Sequence, residues 1–136
     1  MQYYRTRAGK ILGTNFKEVH KKAFDVYLEI KKKTKRRPYI RSTYFKKEKI
    51  FLNLYWEHLL SQDNWRDRLR RIKYFIAAIE LMKNTTLEPT SKENPNKSGE
   101  IFHRFSGKAR DGEVFFVQIK EYKKKNQKYL ISIFPE

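Results

Sequence analysis

Three short stretches near the carboxyl end alternate between apolar and polar residues, which is the pattern of β-strands buried on one face. These predicted strands cover residues 100–107, 113–121 and 128–134. Asp111 and Gly112 suit a tight turn between the first two strands. Connections this short allow only antiparallel pairing, so the three strands predict a meander. Phe115, Val117 and Ile119 share one face and provide an apolar surface for a helix.

The opposite face of the predicted sheet carries a row of polar side chains. Gln118 and Lys120 share one side of the second strand, and Ser132 can lie beside them on the third. His103 and Arg104 are neighbours in the first strand, so their side chains point to opposite faces and one of them joins this row. The residues alone leave open which one does.

The chain before these strands is predicted to be mostly helical. Asn15 followed by Glu18 is typical of a helix N-terminus, and apolar residues recur at spacings of three and four from there on. The predicted helices cover 14–33, 54–60 and 65–84, with a break at 61–64. Strand-forming residues on both sides of 46–49 predict a small hairpin, and the proline-containing stretch 85–99 predicts a surface loop. The fold class is therefore α+β: helices followed by a C-terminal antiparallel β-meander, with a small basic hairpin near the N-terminal third.

Length and composition fit one domain. With 136 residues, of which 39% are hydrophobic, the chain can bury a substantial core. Residues 1–13 are predicted to form a basic N-terminal arm, and residues 14–136 a single α+β domain. The absence of cysteine excludes disulfides and thiolate chemistry. No apolar run approaches the roughly 20 residues of a membrane span and no signal-peptide pattern occurs, so we expect a cytoplasmic protein without membrane contact.

The charge of the chain is strongly unbalanced. It has 32 Lys and Arg against 15 Asp and Glu, a formal net charge of +17. A net charge this large destabilises the compact state through self-repulsion, and proteins that carry one usually bind a polyanion. Nucleic acid is the foremost candidate. A generally basic proteome or solubility alone is the alternative. The charge is concentrated, however, because residues 31–49 hold ten basic residues and one acid.

This basic stretch also contains Tyr39, Tyr44 and Phe45, whose rings can stack on unpaired bases. We therefore predict that RNA, or alternatively DNA, binds a set of cationic and aromatic residues in this stretch and in the meander. The predicted nucleic-acid-binding residues are Lys31, Lys32, Lys33, Lys35, Arg36, Arg37, Tyr39, Arg41, Lys46, Lys47, Lys108 and Arg110. A localisation signal or a solvated helix end would explain the same charges without a ligand.

Motifs of the common catalytic sites are absent from the sequence. There is no glycine-rich phosphate loop, no Gly-x-Ser-x-Gly elbow and no His-Glu-x-x-His, and the carboxylates do not cluster as a two-metal nuclease requires. We expect no cofactor and no metal. The residues present are compatible with metal-independent RNA cleavage, in which the ribose 2′-hydroxyl attacks the adjacent phosphate.

That reaction needs a proton acceptor, a proton donor and cations around the phosphate. The predicted catalytic residues are His103, Arg104, Lys120, Gln118 and Ser132. The histidine of this set would transfer protons, with His58 or Tyr74 as a second group; the cations would stabilise phosphate charge, and the amide and hydroxyl would position the nucleotide. The alternative is a structural histidine at a sheet edge among solvated surface cations.

Basic helices followed by a short meander that bears these five residues resemble the barnase, EndoU, colicin and RelE superfamily of small ribonucleases, in particular its phage-associated members. The resemblance covers residues 70–134 and rests on element order and residue types. It implies a metal-independent ribonuclease, often a toxin, whose active surface is the exposed face of the sheet. A toxin of this kind implies an acidic neutralising partner. The basic helix and the hairpin before residue 70 are more than the resemblance accounts for.

Two other functions stay open on the residues alone. A nucleic-acid-binding module without catalysis, such as an accessory factor of a ribonucleoprotein or mobile element, would use residues 31–49 as its main surface. A structural subunit of a larger assembly would use the same charge to remain on RNA permanently. RNA cleavage in EDTA that is lost on His103→Ala would identify the enzyme, whereas binding that weakens when Arg36 and Arg37 are neutralised would identify the module.

Overall fold

The computed structural model describes residues 2–59 and 64–136, and these ranges contain four α-helices and a sheet of seven β-strands. The helices are α1 (Phe16–Lys32), α2 (Asn53–Leu59), α3 (Trp65–Ile72) and α4 (Phe75–Asn84). The strands are β1 (Tyr4–Arg5), β2 (Tyr39–Ser42), β3 (Glu48–Phe51), β4 (Thr90–Glu93), β5 (Glu100–Lys108), β6 (Val114–Tyr122) and β7 (Gln127–Pro135). Met1, the predicted helix end at Leu60 and the predicted break at 61–63 lie outside the described residues.

All seven strands belong to one mixed sheet with the order β1-β5-β6-β7-β3-β2, and β4 also pairs with β5. The strands β5, β6 and β7 form the predicted antiparallel meander, and β2 and β3 form the predicted hairpin. The hairpin extends the main sheet, since β3 runs parallel to β7 with Ile50 opposite Lys128 and Phe51 opposite Tyr129. The α+β fold class is thus confirmed. The joining of hairpin and meander by a parallel pair was not predicted.

Helix α1 begins at the predicted N-terminus. The Asn15 side-chain oxygen accepts a hydrogen bond from the Glu18 backbone N–H at 2.9 Å. This bond satisfies one of the N–H groups that have no partner at the start of a helix. Val19, Ala23 and Tyr27 are buried along one side of α1, as their spacing predicts.

The helix predicted over 65–84 consists of two helices, α3 and α4, which separate at Lys73 and Tyr74. No proline or glycine marks this point in the sequence. The Lys73 carbonyl instead accepts a hydrogen bond from the Ile11 backbone N–H at 2.8 Å, and the Tyr74 hydroxyl donates to Glu113 at 2.5 Å. Contacts with distant parts of the chain therefore accompany the break, and for this reason local spacing predicted one long helix.

The amino-terminal segment is docked on the rest of the domain. Strand β1 pairs in parallel with the end of β5, and Ile11 is buried in the core. Glu80 on α4 accepts hydrogen bonds from the backbone N–H groups of Arg7 at 2.8 Å and Ala8 at 3.0 Å. Within the predicted arm over 1–13, these residues are therefore part of the folded unit.

The predicted loop over 85–99 contains the edge strand β4. It pairs antiparallel with β5, so that Ser91 lies opposite His103. All four residues of β4 are polar and exposed, so the alternation that identifies a half-buried strand is missing. Pairing with the free edge of β5 is what makes this segment a strand.

The helices pack on one face of the sheet. That face contributes Phe105, Phe115, Val117, Ile119, Leu130 and Ile133 to the main hydrophobic core. Gly107 lies in the same face, where a Cβ would be 2.6 Å from both Leu81 Cδ1 and Phe115 Cζ, so glycine permits the close approach of α4. None of the described helices is long and apolar enough to cross a membrane.

Candidate nucleic-acid interface

A β-bulge in β7 determines which side chains lie on the face of the sheet away from the helices. One extra residue, Ile131, lies between the partners of Gln118 and Ile119. The alternation along β7 is therefore reversed before the bulge. Leu130 is buried in the core, and Tyr129 turns to the face away from the helices.

We call this second surface the open face. Its strand residues include Tyr39, Arg41, Lys49, Phe51, Phe102, Arg104, Phe116, Gln118, Lys120, Tyr122, Tyr129, Ser132 and Phe134. Their side chains are half-buried or exposed, apart from Tyr129, which is 8% exposed. At the β4 edge, residues including Lys92, Arg104 and Phe116 line a groove of about 480 Å³.

Aromatic rings and guanidinium groups meet at the β6–β7 part of the open face. Phe116 and Phe134 lie opposite each other with ring centres 5.4 Å apart. The guanidinium carbon of Arg104 lies 5.3 Å from the Phe134 ring centre. Arg71 of α3 approaches the same ring at 5.7 Å, and its Nη1 donates to Ser132 Oγ at 3.2 Å. Two guanidinium groups from different elements therefore adjoin one phenyl ring.

A second group of rings lies where β6, β7 and β3 run side by side. The Tyr129 ring centre is 5.7 Å from that of Tyr122 and 5.6 Å from that of Phe51. Arg37 lies over Phe51 at 4.1 Å and donates to the Tyr129 hydroxyl at 3.2 Å. Lys120 Nζ lies 5.1 Å from the Tyr122 ring centre. Cations again adjoin the rings.

The hairpin continues this row to the far edge of the sheet. The Tyr39 ring centre lies 6.1 Å from that of Phe51. Lys49 and Arg41 lie 4.6 and 5.5 Å from the Tyr39 ring centre. Aromatic and cationic side chains therefore alternate from the free edge of β2 across to β6.

The open face carries little negative charge. Among the described strand residues that point to it, Glu100 is the one acid, and it is buried. Its carboxylate accepts a hydrogen bond from Asn94 at 3.0 Å and lies 3.8 Å from Lys97 Nζ. The potential over the open face is therefore positive.

Four of the five predicted catalytic residues lie on the open face. Arg104, Gln118 and Ser132 are in register across β5, β6 and β7, and Lys120 is the next outward residue along β6. Of the pair His103 and Arg104, the arginine is the one that joins the polar row.

His103 lies on the helix-side face of β5 and is 8% exposed. Its Nδ1 is 2.7 Å from Ser91 Oγ, and its Nε2 is 2.8 Å from Glu121 Oε1. Its ring centre lies 5.1 Å from that of Phe45. The sheet thus separates His103 from Gln118 and the rest of the row, so the five predicted catalytic residues do not come together at one place.

The two other groups considered for proton transfer lie apart from each other. His58, on α2, borders a small cavity together with Arg71 and Ser132. Tyr74 lies at the other end of the sheet, where its hydroxyl bonds to Glu113. His58 is therefore the histidine next to the polar row.

The predicted basic residues divide into several places. Arg37, Tyr39 and Arg41 reach the open face, whereas the cations before them lie exposed at the end of α1 and in the following connection. These exposed cations are Lys31, Lys32, Lys33, Lys35 and Arg36. Lys46 and Lys47 form the exposed hairpin turn, with φ of 56° and 68°.

The remaining predicted contacts lie at other sites. Lys108 points outward at the end of β5, and Arg110 lies in the turn that follows, where its backbone N–H donates to Ala8. Tyr44 and Phe45, predicted to stack on bases, instead pack against Phe105, with ring centres 5.5 and 5.9 Å away. Their rings therefore pack against the hydrophobic core.

Several residues of the open face were missed by the sequence analysis. Phe116 and Phe134 could have been found, since strand alternation places them beside Gln118 and Ser132. Arg71 had no such signal, because only the packing of α3 along β7 brings it to Ser132. Arg71 also pairs with Asp67, one turn earlier on α3, at 2.8 Å.

A cleft of about 720 Å³ lies where α3 meets the start of β6 and the end of β7. We call it the end cleft. It is lined by Lys10, Arg66, Leu69, Arg70, Lys73, Tyr74, Gly112, Glu113, Val114, Pro135 and Glu136.

A carboxylate in the end cleft is held by two partners. Glu113 accepts a hydrogen bond from the Tyr74 hydroxyl and lies 2.9 Å from Lys10 Nζ. These hydrogen bonds from Tyr74 and Lys10 lower the pKa of Glu113 below its usual range. Burial, followed by the hydrogen bond to Glu113, raises the pKa of Tyr74. Glu113 is therefore an anion and Tyr74 a neutral donor at neutral pH.

The described residues contain no group of three or more His, Asp or Glu side chains that could hold a metal ion. Comparisons with protein-family models, with curated proteins and with solved structures found no match to this chain. The candidate interface therefore has to be interpreted from its own geometry and charge.

Proposed function

We propose that this protein binds single-stranded RNA on the open face. The observation that carries the proposal is the alternation of part-exposed rings with cations across the sheet, seen in Arg37 on Phe51 and Arg104 on Phe134. Aromatic side chains stack on bases at roughly 1–3 kcal/mol per base, while cations follow the phosphates. A positively charged face with aromatic rings at intervals can therefore bind both the bases and the phosphates of one RNA strand.

A single strand suits this surface better than a duplex. In a duplex the base faces are covered by their neighbours, whereas unpaired bases can spread over a sheet and stack on its rings. The Gln118 amide and the Ser132 hydroxyl lie between Arg104 and Arg71 and can donate to or accept from base edges and ribose. Contacts to the ribose 2′-hydroxyl distinguish RNA from DNA.

Fluorescence anisotropy tests the binding proposal. The probe is a labelled single-stranded RNA of about 12 nucleotides, within the usual site sizes of such surfaces. A hairpin RNA of the same length and a DNA of the same sequence are compared with it. We expect the single strand to bind most tightly, and Phe134→Ala and Arg104→Ala to weaken it. Equal binding of hairpin and single strand, or no effect of the two variants, would contradict the proposal.

A second candidate function is cleavage of the bound RNA without a metal. It is favoured by the position of His58, which borders the same cavity as Arg71 and Ser132. In this reaction the 2′-oxygen attacks phosphorus and the bond to the 5′-oxygen breaks, which leaves a 2′,3′-cyclic phosphate and a 5′-hydroxyl. His58 would take the proton of the 2′-hydroxyl and donate a proton to the departing 5′-oxygen. The guanidinium groups of Arg71 and Arg104 would stabilise the negative charge that develops on the phosphate.

Incubation of RNA with the protein in EDTA tests cleavage, and the two histidines provide a matched pair. We expect His58→Ala to lower the cleavage rate by about 100-fold or more and His103→Ala to leave it nearly unchanged. An RNA with a single 2′-deoxy residue at the cut site should bind and resist cleavage. Cleavage that depends on His103 instead would contradict the assignment of proton transfer to His58. RNA that binds but stays intact would exclude cleavage and leave RNA binding as the function.

A ribonuclease of toxin type would need a neutralising partner. An acidic protein that covers the open face would suit the positive potential there and would exclude RNA from the same rings and cations. Competition between such a protein and the RNA probe is the measurement that would identify it.

A further inference from the structure

The end cleft has the composition of a nucleotide-binding site. Its volume of about 720 Å³ lies within the range of small-ligand sites, roughly 300–1,000 Å³. Leu69, Val114 and Pro135 form apolar walls, and several cations line the remainder. An apolar wall beside cations suits a base or ribose next to a phosphate.

The cations of the cleft come mainly from one side of α3. Arg66 and Arg70 are four residues apart on α3, and Lys73 follows three residues later at its C-terminal end, so the three line the same side of this helix. The exposed Trp65 ring lies 5.4 Å from the Arg66 guanidinium carbon. Among the described residues, Asp67 is the one acid that forms an ion pair with any of these three cations; its carboxylate is 3.8 Å from Arg70.

The two acidic residues that line the cleft, Glu113 and Glu136, do not cancel this charge. Glu113 is already bound to the Tyr74 hydroxyl and to Lys10, the fourth cation of the cleft. Among the described residues that line the cleft, four cations therefore outnumber two acids. An anionic group in the cleft would be attracted to these cations.

The cleft adjoins the open face where β6 begins and β7 ends. Val114 lies two residues before Phe116 on the same side of β6. Pro135 directly follows Phe134 on β7 but pairs with Phe115, so it lines the cleft from the helix side of the sheet. Two residues of a strand span about 7 Å, which is of the order of the distance between neighbouring nucleotides in an extended strand. Arg70, in the cleft, is also the neighbour of Arg71, which reaches the Phe134 ring.

We propose that the end cleft binds the nucleotide that follows the one on Phe134, with its phosphate held by Arg66, Arg70 and Lys73. This inference rests on the proposed RNA binding by the open face and extends it to a second site on the same strand. The RNA path then runs from the hairpin rings across β6 and β7 and ends in the cleft.

The test compares two double variants with the same change of charge and the same spacing. Arg66→Gln with Arg70→Gln removes two cations from the cleft, and Lys17→Gln with Lys21→Gln removes two exposed cations from α1. The probe is the single-stranded RNA of about 12 nucleotides, measured by anisotropy at low salt. We expect the cleft variant to weaken binding by roughly tenfold and the α1 variant by less than about twofold.

Photo-crosslinking locates the nucleotide directly. An RNA with one 4-thiouridine at each position in turn is crosslinked, and the protein peptides are identified by mass spectrometry. We expect neighbouring thiouridines to crosslink to residues around Phe134 and then to residues 65–74 or 112–114. Crosslinks confined to the open face, with equal affinities of the two double variants, would overturn the cleft proposal and leave the open face intact. If neither Phe134→Ala nor the cleft variant weakened RNA binding, the cleft proposal and the proposed binding by the open face would both be overturned.

Discussion

The guanidinium carbon of Arg104 lies 5.3 Å from the centre of the Phe134 ring. This contact pairs a ring that can stack on a base with a cation that can meet the neighbouring phosphate. We expect Phe134→Ala to weaken RNA binding by about 5- to 150-fold, since a base stacked on an aromatic side chain contributes roughly 1–3 kcal/mol. Phe134→Tyr, which keeps the ring, should stay close to the wild type in the same anisotropy titration. Equal losses for Tyr and Ala would indicate a role other than stacking.

Arg71 and Arg104 should each contact a phosphate, and salt dependence measures this separately from stacking. We expect Arg71→Gln with Arg104→Gln to reduce the slope of log K against log salt by about 1.4, because each phosphate contact of a single strand contributes roughly 0.7. Phe134→Leu should weaken binding without changing that slope. The measurement is a titration of RNA at several KCl concentrations. An unchanged slope in the arginine variant would show that these guanidinium groups do not face phosphates.

His103 and Arg104 are adjacent in sequence and should give opposite results. His103→Ala removes the partner of Ser91 and Glu121 inside the fold, so we expect it to reduce the free energy of unfolding by about 1–3 kcal/mol with little change in RNA affinity. Arg104→Ala should change that free energy by less than about 0.5 kcal/mol and weaken RNA binding. Urea unfolding and anisotropy on both variants give the comparison. A His103 variant of normal stability and lost affinity would contradict it.

The Tyr74 to Glu113 hydrogen bond should contribute to stability in a pH-dependent way. The folded-state pKa of Glu113 is lowered by Tyr74 and Lys10, so its contribution is present above the unfolded pKa of about 4.5 and is lost as the pH falls through the folded value. We expect Tyr74→Phe to cost about 1 kcal/mol at neutral pH and less in acid. Urea unfolding at neutral pH and near pH 3 measures the difference. Tyr122→Phe, which leaves this contact intact, is the control, and a cost independent of pH would contradict the assignment.

Glu80 should hold the amino-terminal segment on the domain. Its carboxylate accepts two backbone N–H groups, from Arg7 and Ala8, so we expect Glu80→Ala to reduce the free energy of unfolding by about 1–3 kcal/mol. In limited proteolysis, the Glu80 variant should then be cleaved faster than the wild type within its first residues. Glu57→Ala, which removes an exposed acid on α2, should leave both the free energy of unfolding and this cleavage rate unchanged. Resistance to proteolysis in the Glu80 variant would show that the other contacts of the segment, β1 pairing and the buried Ile11, are sufficient to hold it.

The elements that the sequence predicted correctly are those whose signals are local. Phe115, Val117 and Ile119 recur at every second position of one strand. The Asn15 side chain caps the helix that begins at the next residue, so short-range patterns were sufficient. The same rule placed Gln118, Lys120 and Ser132 on one face.

The parts that could not be predicted depend on contacts between distant residues. Strand β4 is defined only by the free edge of β5, and the break after α3 accompanies the bond from Ile11 to Lys73. Arg71 reaches the open face through the packing of α3 on β7. Whether His103 or Arg104 joined the polar row depended on register, which a lone sequence does not determine.

The single extra residue at Ile131 determines what β7 can present to a ligand. Tyr129 and Ser132 are separated by an odd number of positions, so a regular strand would turn one of them toward the helices. If the same residues pleated regularly without the bulge, the recognition surface would be interrupted: the tyrosine ring would turn into the interior and Leu130 would take its place on the open face. The bulge therefore keeps the two halves of β7 in phase, and the pairing of this strand, more than the identity of its extra residue, determines which side chains a ligand can meet.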